Sequence, residues 1–460
     1  MAKYSKRDFI INMLIMSTSM LVLRIVTMGF NIYFTSVIGA EKTGLFHIIF
    51  SVYGFLITFS ISGTGLAVTR LVAECGGILG KRETDILKKS IFLCLITSGT
   101  GCVVTILFSS SISNCIVGSK EGAPALCILA SSLIPLSVSA IIRGYFMAVR
   151  KSVFVTVSQL TEEISSIIIT IFILMKIKNT PYGYMAMICG ISFSAYIAFL
   201  LDFIIYRLYS KNLKAGDKSS VFYREILSIS VPVALGSYLR SVLLCAENVL
   251  IPRCLHIKGD ENAMAKYGVI KGMSLPIMLF PNLFISTFSS LLLPEMANRF
   301  SKGHKNGIKH MAKRALTSTL IFSSGVAIIL LFFHDRIANM FYSNPQVGIY
   351  LGYLALLTVP MYIDTVVDSI LKGLNEQVMS LWYNIIDSIL RVIMILTLIP
   401  KFGAIAYIAM LYISELFNLT LSLSRLIWVI YKKNKKTIKK VEKEKILLYN
   451  GKSNIRKEER

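Results

Sequence analysis

Three observations predict an all-α polytopic membrane protein, with about twelve transmembrane helices in two six-helix lobes related by pseudo-twofold symmetry. Apolar runs of roughly 20–30 residues recur along the whole chain, each long enough to span the hydrocarbon core as a helix. Lysine and arginine collect in alternate connecting segments. The chain also repeats itself weakly at a displacement of 225 residues, as Pro360 follows Pro135 (360 − 135 = 225).

The composition agrees without deciding the matter. Of 460 residues, 54% are hydrophobic, and the mean hydropathy is +0.66. It is the arrangement of these residues in long runs that excludes barrel strands and leaves helices as the spanning elements. The expected spans are 9–37, 44–69, 88–112, 123–149, 153–176, 182–206, 222–251, 264–294, 315–333, 346–371, 378–400 and 403–430. The first run exceeds a secretory signal core, so it reads as a first membrane helix rather than a cleaved leader. Pro135, Pro232, Pro276, Pro281 and Pro360 lie inside spans and predict kinks or broken helices there.

The net charge of +24 would suggest nucleic acid on a soluble chain. Here the cations sort by loop, which topology explains, and no nucleic acid is expected. One side collects Lys6, Arg7, Arg70, Lys81, Arg82, Arg150, Lys151, Arg207, Lys211 and Arg299, together with the tail "YKKNKKTIKKVEKEK" (431–445). The other side is sparse, with Lys42, Lys120, Lys178, Arg253 and Lys401 among its few cations. Both termini are therefore expected in the cytoplasm of a multi-pass cell-membrane protein, as an even number of spans requires. The basic loops and tail would meet anionic lipid. The eight cysteines include no CxxC pair, so neither a disulfide framework nor a structural zinc site is expected.

The repeat lays 133–164 over 358–389 and "TRLVAE" (69–74) over "PEMANR" (294–299). It divides the chain into an N-terminal lobe (1–209), a linker (210–221), a C-terminal lobe (222–430) and a basic tail (431–460). Parallel repeats of this kind are related by an axis along the membrane normal and enclose a central cleft, so a monomer suffices.

Charges inside the spans are the candidate site. Arg24 stands alone between Asp8 and Glu41 in "LVLRIVTMGFNIYF" (21–34), and Arg240 is similarly deep in the seventh span. A mid-membrane charge is costly unless it is paired or hydrated. Two guanidinium groups in a polar cavity suit a diphosphate, which they grip bidentately. Pairing with neighbouring acids, which would merely lock helices together, is the competing reading for each. Glu162, Glu163, Glu247, Asp364, Asp368, Asp387 and Glu415 form an acidic set. Asp364 and Asp368 share one face at i,i+4, which fits either coupling to a monovalent cation or proton, or structural pairing. Asp387 and Arg391 have the same spacing and could pair within their helix. Arg143 and Asp368 occupy matched positions with opposite signs, which raises a salt bridge between lobes as an expectation. Gly63 and Gly65 in "SISGTGLAVTR" (60–70) read as helix packing or a local bend. No HExxH, GxSxG or Walker A motif is present, and the five histidines are scattered. Neither an enzyme nor a resident cofactor or metal is expected.

The combined pattern resembles a known family. The carrying segments are "RIVTMGFNIYFTSVIGAEKTGLFHIIFSVYGF" (24–55), "SGTGLAVTRLVAE" (62–74), "IIRGYFMAVRKSVFVTVSQLTEEI" (141–164), "LLLPEMANRF" (291–300) and "SILKGLNEQVMSLWYNIIDSILR" (369–391). Across roughly residues 9–430 the chain is similar to the polysaccharide-transport branch of the multidrug/oligosaccharidyl-lipid/polysaccharide (MOP) exporter superfamily. Within that branch it looks most like the stage V sporulation protein B group. The resemblance implies a MATE/MOP-like fold and a flippase that moves an undecaprenyl-diphosphate-linked saccharide by alternating access. The saccharide implied is a peptidoglycan precursor for spore cortex. In the lipid II flippases a first-helix arginine belongs to the cationic substrate cavity, and Arg24 matches it; Arg240 follows by position. Arg24, Arg240 and Arg143 are thus the expected substrate-binding cations, and Glu162, Glu247, Asp364, Asp368 and Asp387 the expected coupling or gating acids. A flippase for another lipid-linked glycan, or a cation-coupled drug exporter of the same superfamily, is the alternative.

Overall fold

The structure, a computed structural model, describes residues 6–61, 63–74, 81–118, 120–149, 151–177, 180–210, 223–259, 262–342 and 344–430. Arg150, Lys178, Lys211, most of the expected linker and the whole basic tail lie outside the described residues. Among those described there is no strand.

The helices in chain order are α1 (Lys6–Ile38), α2 (Ala40–Ile61), α3 (Thr64–Glu74), α4 (Lys81–Leu107), α5 (Ser109–Val117), α6 (Ala123–Ala148), α7 (Ser152–Ile177), α8 (Met185–Ser210) and α9 (Tyr223–Ile257). They continue with α10 (Ala263–Tyr267), α11 (Leu275–Leu279), α12 (Asn282–Ser301), α13 (Lys305–Phe341), α14 (Pro345–Leu354), α15 (Thr358–Gly373), α16 (Gln377–Phe402) and α17 (Ala404–Trp428). Each of the twelve expected spans coincides with one of these helices or with a broken pair. Nine segments among the described residues are long and apolar enough to cross a membrane, and the pair α10–α11 plus α12, bent by 58°, makes a tenth. The other two are α7 and α16, which carry the acids Glu162, Glu163 and Asp387.

Large apolar side chains at Leu107, Met175, Phe332 and Met340 are exposed. An aqueous solvent would penalise such a surface, and a lipid one does not.

Prolines mark the breaks. Pro281 sits at the 58° bend between α11 and α12, and Pro276 opens α11. Pro360 begins α15 just after a 3₁₀ turn at Ala355–Leu357. Pro135 and Pro232 lie within unbroken α6 and α9. Between α10 and α11 the chain winds as a π-helix over Gly268–Ser274. Gly63 divides α2 from α3 with φ +83°, and a Cβ there would overlap the Ser230 carbonyl oxygen of α9.

The 225-residue repeat is visible in the helix ends. α7 and α16 begin 225 apart (377 − 152) and end 225 apart (402 − 177), while α6 and α15 end 225 apart (373 − 148). One ion pair recurs with its signs exchanged. Arg70 Nε meets Glu74 Oε1 at 2.8 Å, and at the matched positions Arg299 Nε meets Glu295 Oε1 at 2.8 Å.

The described chain forms two compact units that interleave along the sequence. The described residues of one lie within 6–280, 334–352 and 388–408, and those of the other within 281–333, 353–387 and 409–430. In the first, Phe30 and Phe34 of α1 pack with Phe46, Ile49 and Tyr53 of α2, and with Leu126, Leu129 and Leu133 of α6. The Tyr53 hydroxyl is satisfied by Ser132 Oγ at 2.7 Å. In the second, Leu292 and Met296 of α12 pack on Tyr362, Val366 and Ile370 of α15.

A lock closes the second unit near the α15–α16 turn, where Asn375 adopts φ 62°. Glu376 is 3% exposed. It accepts from Arg425 Nη2 at 2.7 Å and Nε at 3.1 Å, and the guanidinium carbon lies 4.4 Å from the Trp428 ring centroid. Removing one partner strands the other, so Glu376→Ala is expected to cost about 3 kcal/mol. Arg425→Lys, which loses the fork and the stacking, should also melt early. Thermal denaturation in detergent reads both; an unchanged melting temperature for Arg425→Lys would show that charge alone matters there.

Candidate functional site

The expected site residues fall into separate environments. Arg24 on α1 and Arg240 on α9 both have exposed side chains. A guanidinium that receives a ligand needs that accessibility.

Arg143 is different. Its Nη2 donates to Glu162 Oε2 at 2.6 Å, and its Nε is shared between Ser158 Oγ and Asp202 Oδ2, both at 3.0 Å. Asp202 is 2% exposed and Ser158 0%. Arg143 comes from α6, Ser158 and Glu162 from α7, and Asp202 from α8, so the cluster ties three helices. Beside it Thr27 Oγ1 of α1 donates to Glu163 Oε2 at 3.3 Å. Two carboxylates around one guanidinium hold it in charge-assisted bonds. This corrects the expected Arg143–Asp368 bridge: Arg143 is satisfied inside its own unit.

Asp368 is likewise satisfied at home. It accepts from Lys372 Nζ at 2.5 Å and closely from Ser380 Oγ. Asp364, one turn away, accepts from Asn418 Nδ2 of α17 at 3.1 Å. The like charges at i,i+4 therefore have different hydrogen-bond partners. Asp387 is 4% exposed and accepts from Ser414 Oγ at 2.5 Å.

Glu247 belongs to a further cluster. It is 3% exposed, and Arg391 Nη1 of α16 approaches its Oε1 at 3.9 Å. Lys271, on the π segment, interacts electrostatically with both. Tyr267 donates to Asn248 Oδ1 at 3.1 Å, and Tyr407 of α17 is 0% exposed.

Asp202 and Lys271 went unmarked in the sequence. Asp202 lies 59 residues from Arg143, and only the α6–α8 packing joins them. Lys271 stands in an otherwise apolar run and differs from a snorkelling lysine only once the helix is built. No group of His, Cys, Asp and Glu able to hold a metal ion occurs among the described residues.

Long apolar helices, several of them broken, and exposed apolar side chains define a polytopic membrane protein. Residues 9–300 match the model of the family described as "Polysaccharide biosynthesis protein", and 254–397 match that of MatE. The chain belongs to the polysaccharide biosynthesis protein family. It is 20% identical over 417 residues to Stage V sporulation protein B of Bacillus subtilis (strain 168), covering 87% of this chain and 80% of that protein. Its fold matches the inward closed conformation of lipid II flippase MurJ with a TM-score of 0.71 at 16% identity, over 90% of this chain and 87% of that one. It also matches an inward-facing multidrug resistance MATE family transporter of the MOP superfamily, with a TM-score of 0.68 at 14% identity, over 92% of this chain and 96% of that one. Of these, MurJ is a lipid II flippase and the MATE protein a multidrug resistance transporter.

Proposed function

We propose that this chain is a flippase that carries an undecaprenyl-diphosphate-linked saccharide across the cell membrane by alternating access. The saccharide is a peptidoglycan precursor for spore cortex. The observation that carries this reading is the pair of exposed arginines, Arg24 and Arg240, in the middle of α1 and α9 of a chain from a polysaccharide-transport family. Diphosphate is the membrane-borne anion that such a pair would grip. The similarity to a sporulation protein and to a lipid II flippase supports the choice of saccharide.

On this reading Arg24 and Arg240 bind substrate, and both termini lie in the cytoplasm. Six helices from each half rock about a central cleft in a monomer, and the basic loops and tail rest on anionic lipid. Arg143, held by Glu162 and Asp202, positions α6–α8 rather than gripping the ligand. Asp364, which accepts from the Asn418 amide, and Asp368, one turn on, are the acids that couple transport to a proton or monovalent cation. A cation-coupled drug exporter is the second reading, favoured by the MatE match over 254–397.

The test is movement of fluorescent lipid II in reconstituted vesicles. Wild type should flip it, and Arg24→Ala and Arg240→Ala should each slow flipping at least tenfold, about the worth of one charge-assisted contact. Flipping that survives both substitutions would sink the arginine assignment. Cation-dependent dye export without lipid II movement would favour the exporter.

A further inference from the structure

We propose that the C-terminal half of α1 carries a saccharide subsite, in which the Asn31 amide receives the first sugars of a lipid-linked substrate whose diphosphate is held at Arg24. This deepens the flippase reading and rests on it for the diphosphate.

Three observations in the first compact unit carry the inference. The first is a pattern. Arg24, Thr27, Asn31 and Thr35 follow one another at intervals of three, four and four residues (27 − 24, 31 − 27, 35 − 31), so they share one face of α1. Leucine, isoleucine, valine, methionine and phenylalanine fill most positions around them. A polar face within a membrane span turns towards protein or a water-filled cavity rather than lipid. This one starts at the exposed Arg24 side chain and ends at the buried Thr35.

The second is an unmet hydrogen bond on that face. Both of its hydroxyls are satisfied. Thr27 Oγ1 donates to Glu163 Oε2 of α7 at 3.3 Å. Thr35 Oγ1 donates to the Asn31 backbone carbonyl at 2.9 Å and meets the Tyr342 hydroxyl at 2.9 Å. The side-chain carbonyl oxygen of Asn31, Oδ1, is buried and has no hydrogen-bond partner. A buried amide oxygen without a donor costs free energy. The residue as a whole is only half-buried. The terminal torsion of asparagine is broad, so the amide can turn to a ligand without giving up an acceptor bond.

The third is spacing. Asn31 lies seven residues beyond Arg24 (31 − 24), about 10 Å along the helix and about 20° around it. A diphosphate gripped at Arg24, with its sugars towards the C-terminal end of α1, brings the first of them to this amide. An amide suits sugars, because it accepts from a hydroxyl or acetamido N–H and donates to a ring or carbonyl oxygen. The second half of the chain repeats the interval. Glu247 lies seven residues beyond Arg240 (247 − 240), and both positions are displaced by 216 residues (240 − 24, 247 − 31). Glu247 is 3% exposed, with Arg391 Nη1 3.9 Å from its Oε1, so the neutral position open to a sugar is Asn31.

The test compares lipid II with undecaprenyl diphosphate, which shares its tail and diphosphate but carries no sugar. Binding of each to the full-length chain in nanodiscs is measured for wild type, Asn31→Leu and Arg24→Ala. Wild type should prefer lipid II. Asn31→Leu should weaken lipid II binding roughly three- to tenfold, the worth of one hydrogen bond, and leave undecaprenyl diphosphate binding unchanged. Arg24→Ala should weaken both. Equal loss for the two lipids in Asn31→Leu, or loss for neither, overturns the subsite. If Asn31→Leu fails to fold, Asn31→Ser, which withdraws the polar group from the ligand, answers the same question: selective loss of lipid II supports the subsite, and an unaltered preference counts against it. A selective loss in Asn31→Leu beside undiminished binding in Arg24→Ala keeps the sugar contact and overturns its register with Arg24. Equal binding of both lipids by wild type removes the subsite and leaves the flippase reading standing. Binding of neither removes the flippase reading, and the subsite with it.

Discussion

Replacing Arg143 with alanine is expected to destabilise the folded chain by about 3–5 kcal/mol, the range for breaking a buried ion pair from one side. The variant leaves Glu162 and the 2%-exposed Asp202 without their cation. It also removes one of the hydrogen bonds to Ser158, which is fully buried. The loss should appear as low yield of monodisperse protein and a melting temperature several degrees below wild type. Asp202→Asn on top of Arg143→Ala should recover part of it, because the amide no longer carries an uncompensated charge. Arg143→Lys should recover less, since one ammonium cannot span Glu162, Ser158 and Asp202 with planar geometry. A stable Arg143→Ala that still fails to transport would instead place Arg143 in direct contact with substrate.

Gly63→Val should be about as damaging, for a different reason. The residue sits at φ +83°, where a side chain costs roughly 1–2 kcal/mol from backbone sterics alone. Its Cβ would overlap the Ser230 carbonyl oxygen, so α3 and α9 would have to part. Overpacking of this kind adds about 1–3 kcal/mol. Gly65→Ala, two residues on, meets nothing within 4 Å and should be nearly silent. Thermal melts of the two variants side by side test the account; equal effects would mean that the turn, not the close approach, governs this break.

Most of the helical plan was legible because each run of apolar residues has one physical solution in lipid. The repeat was legible for a related reason: matched spans need matched ends, so Arg70–Glu74 and Glu295–Arg299 survive as a charge-exchanged pair although little else does. Partnerships were harder. Arg143 and Asp368 look complementary in a linear alignment, yet each is satisfied by closer groups, and proximity decides electrostatics. Asp364 and Asp368 look like a repelling pair until Asn418, Lys372 and Ser380 are placed around them. Lys271 was the least legible of all, because its meaning depends on Glu247 in one helix and Arg391 in another.

The π winding at Gly268–Ser274 also fixes how the chain responds to changes in its length. Such a stretch accommodates one residue more per turn than its α-helical neighbours. It therefore sets the rotational phase between Tyr267 on one side and Pro276 on the other, at about 100° per residue. A one-residue deletion here is the rare deletion a helix can take up locally, by reverting to ordinary winding. The result would still be a continuous span, but Lys271 and Tyr267 would face another direction, away from Glu247 and Asn248. Length, as much as side-chain identity, is what aims this part of the molecule.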